Sequence, residues 1–392
     1  MKVICDRGAL LSAVNLVGGV VAARTPKIEL TCIRLTAKKV GTKGGGAGLL
    51  TLAATDAEIA VRMSIARVDV AEEGEALVPA DKLRQIVSAE EQEPTLTIES
   101  DGEVCHIRGQ DAKFKVFGYQ VANFPPIPEF PHKDPKAASF AINADTLRQL
   151  VDRTAFSTAR ETSRYAINGV LFNRQGRKIE MVATDGRRLA LARGTIEGAG
   201  GAGDENRSCI IPTKALTLLS RIISDPESTV RVAITDNQAI FAIDEDDAPG
   251  AGTMLASNLV EGSFPPYEEV IPKDQDKKAT FDVDKLSSAV KRAALLTNEE
   301  SRGVKMAFNT GKESKLRLSS RAPEMGEAEI DVGMESYEGS DIEIGFNPAF
   351  LTDALRVIAE PKITFEMKAP NKPGLMRSGN DFLYVVMPVS LQ

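Results

Sequence analysis

The residue types that most often do enzymatic chemistry are few and scattered. The chain of 392 residues has two histidines, His106 and His132, and four cysteines, Cys5, Cys32, Cys105 and Cys209. No two cysteines have the CxxC spacing of a metal or redox site, and neither histidine neighbours a Cys or carboxylate cluster of ligand spacing. The glycine-rich stretch GTKGGGAG from Gly41 lacks the following Lys and Ser/Thr that would cradle a phosphate. Neither GxSxG nor HExxH occurs. These residues point away from an enzyme and call for no metal and no cofactor. A hydrolase or phosphotransferase built from carboxylates distant in sequence is the surviving catalytic alternative. The cysteines, mostly flanked by apolar residues, fit buried thiols in a reducing compartment.

What does recur at regular spacing is a structural unit. CDRGALLSAVNLV from Cys5, FAINADTLRQLVDRTAF from Phe140 and FDVDKLSSAVKRAALL from Phe281 each open as a short strand. Each then turns into a helix with leucine or valine on one stripe. Asp145 and Asp284 stand where a carboxylate would cap the helix start. A second helix follows in each unit, at VPADKLRQIV from Val78, IPTKALTLLS from Ile211 and FNPAFLTDAL from Phe346. Pro79, Pro212 and Pro348 lie at or just before its first turn, where a missing N–H costs little. Alternating strand patterns such as TLTIES, VRVAI and KITFEM come next. Helices are therefore expected at 7–20, 80–88, 144–157, 213–223, 284–297 and 348–359. The proline-rich links NFPPIPEFPHKDPK and SFPPYEEVIPKDQDK divide the chain into domains at 1–137, 138–273 and 274–392. GTKGGGAG and GAGGAG are expected to be long hairpin loops.

Charge is sorted by element. The six expected helices carry eleven basic residues, among them Lys214, against five acidic ones, while the whole chain has a formal charge of −7. That total argues against a generic basic nucleic-acid binder, so any DNA role must rest on local charge placement. If the helices shared a surface, it would be positive on an otherwise acidic protein and could face phosphates through solvent. Dipole matching and ordinary solvated faces would explain the same count. The N-terminal segment is broken by Asp6 and Arg7 and has no long apolar run, so no signal peptide is expected. No apolar run approaches a membrane span, and a soluble cytoplasmic protein is the expectation.

The most informative segment is VATDGRRLALARG, from Val182 to Gly194. LAATDAEIAVR from Leu52 repeats its turn, which explains Thr184, Asp185 and Gly186 but not Arg187, Arg188 and Leu189. With RYAINGVLF, FPPYEEVIP, NEESRGVKM and the ending LYVVMPVSLQ, this segment resembles the bacterial beta sliding clamp family, the beta subunits of DNA polymerase III. The resemblance runs the length of the chain.

The resemblance implies an α+β fold of three similar DNA-clamp domains, each of two strand–helix–strands half-repeats. Two copies would form a head-to-tail homodimeric ring with helices lining the hole. It further implies a DNA sliding clamp that encircles duplex DNA. Implied partners are the replicative polymerase catalytic subunit and the clamp-loader complex. Other polymerases, mismatch repair proteins and ligase would dock through short peptides. The implied peptide pocket comprises Ile167, Thr184, Gly186, Arg187, Arg188, Leu189, Pro265, Val270, Val385, Val386, Met387, Pro388 and Val389. Taken singly, these aliphatics read as core; a chain end holding VVMPV is the unusual feature. DNA contact is implied for Arg24, Arg164 and Tyr165, with Lys214 added from the basic helix set. The dimer contact is implied for Phe114 and Val116 on one side and Leu295 and Leu296 on the other. The chain departs from the family pattern at Glu269, Ser390 and Gln392 near the pocket, and at Ala166 and Glu161 near Arg164. The competing reading is a dimeric peptide-binding scaffold that never meets DNA.

Overall fold

The computed structural model describes residues 1–22, 24–40, 47–131, 137–161, 164–196, 206–244, 251–297, 303–309, 315–323 and 325–390. His132, the expected loop at 198–203, most of the expected loop at 41–48 and the NEESR part of NEESRGVKM lie outside these residues.

One unit is used six times: strand, helix, three strands. The first use is β1 (Lys2–Asp6), α1 (Arg7–Gly18), β2 (Cys32–Val40), β3 (Ala47–Thr55) and β4 (Ile59–Glu72). The second is β5 (Gly74–Pro79), α2 (Ala80–Ala89), β6 (Thr95–Asp101), β7 (Val104–Arg108) and β8 (Lys113–Phe117). The third is β9 (Ala138–Asn143), α3 (Ala144–Asp152), β10 (Gly169–Gln175), β11 (Lys178–Thr184) and β12 (Arg188–Thr195). The fourth is β13 (Arg207–Pro212), α4 (Thr213–Ile222), β14 (Thr229–Ile234), β15 (Gln238–Asp244) and β16 (Gly252–Asn258). The fifth is β17 (Lys277–Asp282), α5 (Val283–Ala293), β18 (Val304–Asn309), β19 (Lys315–Ala322) and β20 (Gly326–Gly333), with a short extra strand β21 (Ser336–Glu338). The sixth is β22 (Ile342–Phe346), α6 (Pro348–Arg356), β23 (Lys362–Met367), β24 (Gly374–Ser378) and β25 (Phe382–Val386).

All six helices begin within one residue of their expected starts, but two of the caps lie two residues before the expected ones. Asp6 accepts from Ala9 N at 2.7 Å, Asn143 from Thr146 N at 3.0 Å, and Asp282 from Lys285 N at 2.9 Å. Asn143 and Asp282, not Asp145 and Asp284, are therefore the caps; the two aspartates sit inside the first turn, where they still favour the dipole. Three helices end at least three residues before the expected C-terminal ends. After α3, Thr154 turns its hydroxyl back to the Leu150 carbonyl at 2.7 Å and the chain tightens into a 3₁₀ turn at Ala155–Ser157. A similar turn at Ala294–Leu296 follows α5, and α6 stops at Arg356. Arg153 thus falls outside α3, buried, with Nη2 3.1 Å from Glu360. The helical surplus becomes ten basic residues against five acidic ones.

The chain divides into two compact units. The first, Met1–Leu147 with Ile196–Glu205 and Lys214–Leu259, holds a twelve-stranded sheet in the order β8-β7-β6-β1-β4-β16-β15-β14-β9, with β3, β2 and β5 continuing from β4. β4 is 14 residues long and serves two neighbours. Its first half pairs with β16, from Ile59↔Ser257 to Ser64↔Gly252, and its second half with β1. The second unit, Arg148–Thr195 with Asn206–Thr213 and Val260–Gln392, holds a nine-stranded sheet and a four-stranded sheet. The nine run β13-β10-β11-β12-β25-β24-β23-β17-β21 and the four run β20-β19-β18-β22. In it β12 pairs with β25 from Arg188↔Val386 to Ala192↔Phe382. Each helix lays one stripe on its sheet: Leu10, Ala13, Val14 and Val17 of α1, or Leu286, Ala289, Val290 and Ala293 of α5, are buried. Among the described residues, no helix is long and apolar enough to cross a membrane.

The cysteine reading can be tested directly. Burial pushes the thiols of Cys32 and Cys105 up to about 11 and those of Cys5 and Cys209 up to about 12. Only the thiolate is reactive. A chromogenic disulfide reagent at pH 8 is expected to label fewer than one thiol per native chain and all four in denaturant. Rapid labelling of the native protein would contradict this packing.

Candidate functional site

The hairpin β11–β12 organises the site in the second unit. Asp185 Oδ1 accepts from the backbone N–H of Arg187 at 3.0 Å and of Arg188 at 3.1 Å. Thr184 Oγ1 accepts from Gly186 N at 3.1 Å and donates to the Arg188 carbonyl at 2.7 Å. Gly186 sits at φ 84°, which a side chain would strain. The first domain makes the same turn with Thr55 and Asp56, but Ala57 occupies the strained place at φ 79°. The shared ATD sequence is thus a shared turn.

The two arginines that follow have different fates. The Arg188 side chain is only 10% exposed. Its Nε donates to Asp185 at 2.9 Å, Nη1 to Asp353 of α6 at 2.7 Å and Nη2 to the Phe156 carbonyl at 2.9 Å. The guanidinium lies 4.5 Å from the Phe350 ring centroid and 5.5 Å from that of Phe156. Burial works against its charge, but the bonds to Asp353 and Asp185 more than offset that, so its pKa is raised. Arg188 is therefore a clasp between β12, the turn after α3, and α6. Arg187 is exposed, and its carbonyl accepts from Met387 N at 2.9 Å.

Below the hairpin lies an apolar cluster of Ala166, Leu171, Val182, Leu189, Leu191, Ile210, Leu375, Leu383 and Val385. The segment 264–271 lies across it, with Phe264, Tyr267 and Ile271 packed on the cluster. Tyr267 Oη donates to Glu180 at 2.5 Å, and Glu180 is 2.9 Å from Arg193 Nε, so this segment is pinned at its middle. Burial, then the Glu180 hydrogen bond, raises the Tyr267 pKa. The tail beyond β25 is tied at Met387, as above, and at Val389, whose N–H donates to Gly345 O at 2.9 Å.

The thirteen residues expected to form a peptide pocket thus divide by exposure. Thr184, Leu189, Val385 and Val386 are buried and belong to the core beneath the surface. Ile167, Arg188, Pro265, Pro388 and Val389 are half-buried. Gly186 and Arg187 are exposed, as are Met387 at 40% and Val270 at 47%. Glu269 and Ser390 are exposed near them in sequence, and Gln392 lies outside the described residues. Sequence reasoning missed Phe156, Glu180, Phe264, Tyr267, Phe350 and Asp353. Only the aromatics of FPPYEEVIP carried a usable signal, because the rest are distant in sequence.

For the residues expected to face DNA, Arg24 is exposed after α1, and Arg164 and Tyr165 are exposed with the guanidinium 5.8 Å from the ring. Lys214 Nζ is 2.5 Å from Asp56, so this cation is already paired. Ala166 is buried, with its N–H donating to Ser263 O at 3.1 Å, and Glu161 is exposed. Of the residues expected at a dimer contact, Phe114 is half-buried and Val116 is buried. The side chain that β8 leaves open is Phe117, 70% exposed. Leu295 is 75% exposed and Leu296 half-buried. Among the described residues β8 pairs only with β7 in the sheet ladder, and β20 only with β19. Glu90, Glu93 and Asp111 bring three carboxylates within 4.8 Å at the surface.

Three α+β domains made from six strand–helix–strands units have the design of a DNA clamp. Comparison with known proteins bears this out. Models of the DNA polymerase III beta subunit match in three consecutive pieces: the N-terminal domain over residues 1–128, the central domain over 141–266 and the C-terminal domain over 268–390. The beta sliding clamp of Pseudomonas aeruginosa is 31% identical over 393 residues, covering 100% of both chains. That of Escherichia coli strain K12 is 30% identical over 360 residues, covering 91% of this chain and 90% of the other. The crystal structure of the P. aeruginosa DNA polymerase III subunit beta superposes with a TM-score of 0.84 over 100% of both chains at 31% identity. The fold alone extends to the clamp of Bacillus subtilis, with a TM-score of 0.86 at 24% identity and 100% coverage of both. The chain belongs to the beta sliding clamp family, the beta subunits of DNA polymerase III.

Replacing Arg188 with Ala strands the Asp185 and Asp353 carboxylates and the Phe156 carbonyl in a partly buried site. It is expected to lower stability by about 3 kcal/mol, whereas Arg187→Ala should change it by less than about 0.5 kcal/mol. Chemical denaturation of the two variants checks this; equal losses would remove the distinction between clasp and surface arginine.

Proposed function

We propose that two copies of this chain close head to tail into a ring around duplex DNA and tether the replicative polymerase catalytic subunit for processive synthesis. The observation that carries the reading is the sixfold unit matched, domain by domain, to the beta subunit models. The domains run 1–137, 138–273 and 274–392. The protein has no catalytic site of its own, works in the cytoplasm and takes no cofactor. The clamp-loader complex opens the ring. Other polymerases, mismatch repair proteins and ligase dock by short peptides on the surface around Ile167, Gly186, Arg187, Pro265, Val270 and Met387–Val389. Leu189, Val385 and Val386 form the floor beneath it. Met387, Val270 and the prolines suit such a groove because Met adapts its shape and a peptide needs only two or three apolar anchors. DNA meets the exposed Arg24, Arg164 and Tyr165 and the cationic helix residues through solvent, without sequence readout.

The ring joint uses the open edge β8 of one copy and β20 of the next, with Phe117 and Leu295 as the apolar contacts beside Phe114, Val116 and Leu296. Pairing these edges would remove the template for aggregation that they otherwise present. A scaffold that never meets DNA would share the joint and the groove but would not need a cationic helix set.

Two variants test the reading without unfolding the chain. Deleting Met387–Gln392 removes an exposed groove wall and two backbone hydrogen bonds, leaving every strand and helix intact. The truncated protein is expected to stay folded and dimeric and to lose at least tenfold in affinity for a clamp-binding peptide of the polymerase, measured by calorimetry. Unchanged affinity would place the docking surface elsewhere. Phe117→Ala combined with Leu295→Ala takes away two exposed side chains and should yield monomers at micromolar concentration in light scattering. A persistent dimer would contradict the assigned joint.

A further inference from the structure

A second candidate site lies on the sheet of the first unit and shares no residue with the docking groove. The strand register places Arg62, Met254, Ala242 and Arg231 in one row: Arg62 opposite Met254, Met254 opposite Ala242, and Ala242 opposite Arg231. Directly opposed residues project to the same face. The row therefore has a guanidinium at each end and an apolar floor between. The proline-rich link after β8 packs Ile127 and Phe130 against Ala242, Met254 and their neighbours. It does not fill the face. A hollow of about 270 Å³ remains, bounded by Arg62, Glu129, Phe130, Arg231, Asp244 and Gly252 among others.

Three features give the hollow a chemical character. Gly252 sits at φ 139°, and a Cβ there would lie 2.4 Å from the Ile243 carbonyl, so that end stays bare of side chain. Arg231 is committed: Nη2 donates to Asp244 at 2.8 Å, and the guanidinium lies 4.6 Å from the Phe130 ring centroid. Arg62 is half-buried and has no hydrogen-bond or ion-pair partner among the described residues. Arg62, with five donors, lines a hollow whose other charges among the described residues, Arg231 with Glu129 and Asp244, are one positive and two negative. A dianion would meet repulsion from the two carboxylates, whereas a monoanion can pair with Arg62 by charge-assisted hydrogen bonds. Phe130 and Met254 offer surfaces for a flat apolar body. The volume corresponds to the share of roughly nine water molecules, enough for one ring and its carboxylate.

We infer that this hollow binds an aromatic monocarboxylate, with the carboxylate on Arg62 and the ring against the exposed flanks of Met254 and Phe130. The group can come from a free aromatic acid or from the C-terminal residue of a peptide ending in Phe or Tyr. The test titrates the full-length protein with benzoate, phenyl phosphate, benzylamine, N-acetylphenylalanine and its C-terminal amide, observed by ligand NMR. Saturable binding of benzoate or N-acetylphenylalanine is expected, with weaker binding of phenyl phosphate and none of the amine or the amide. Benzoate alone assigns the free acid and N-acetylphenylalanine alone the peptide end. Arg62→Gln should weaken binding about tenfold or more, Ala242→Leu should block it by filling the floor, and Lys38→Gln, on an exposed stretch of β2, should leave it unchanged. Absence of saturable binding, equal binding of benzylamine, or an unaltered affinity in the Arg62→Gln variant would overturn the proposal. If Ala242→Leu fails to fold, the Arg62 variant decides.

Discussion

Strand pairing across the joints between successive domains is the constraint on which the rest of the structure depends. β4 lies in the segment matching the N-terminal family model and β16 in that matching the central one, yet they form a ladder of six residue pairs. β12 and β25 do the same for the central and C-terminal segments over five pairs. At about 1 kcal/mol net per ladder hydrogen bond, each joint is worth roughly 5 kcal/mol before side chains are counted. A hinged linker would leave those strand edges open to other chains. Here the sheet runs on through each joint, and this explains why the compact units cut across the domains that the sequence repeat defines.

The proposed docking groove inherits its position from one of these joints. Leu189 stands opposite Val385, and Arg188 opposite Val386, so the hairpin after β11 and the tail after β25 emerge side by side. Arg188 then fastens the joint from its other side by holding Asp185, Asp353 and the Phe156 carbonyl at once. A groove made of two chain segments 200 residues apart would be mobile without such a fastening. The buried floor and the exposed rim are parts of one arrangement: pairing buries Leu189 and Val385, and leaves Met387 just past the last ladder bond.

Much of this was legible in the sequence because it is local. Helix stripes, prolines at helix starts and Asp-Gly turns are set by neighbouring residues, and all six helices lie where their periodicity placed them. The misses are of another kind. Asn143 and Asp282 were passed over as caps because each is also the last residue of the preceding strand. Arg188 was expected in the peptide pocket beside Arg187, and the three acceptors that bury it come from three separate segments. Lys214 counted as a free helix cation until folding set Asp56 beside it. The exposure of Phe117 went unread because alternation along β8 shows two faces without saying which one the rest of the chain covers. Tertiary contact decides such cases, and spacing carries no trace of it.

The central claim is topological: the chain is held on DNA by enclosure, with cationic helices that do not grip. The most direct measurement loads the protein on a nicked circular duplex with a clamp loader, raises the salt, and then linearises the circle. Enclosure requires that the protein stay on the circle at salt concentrations that dissolve ordinary phosphate contacts, and that cutting the circle release it. Equal loss from circular and linear DNA as salt rises would contradict the account and leave a dimeric peptide-binding scaffold in its place.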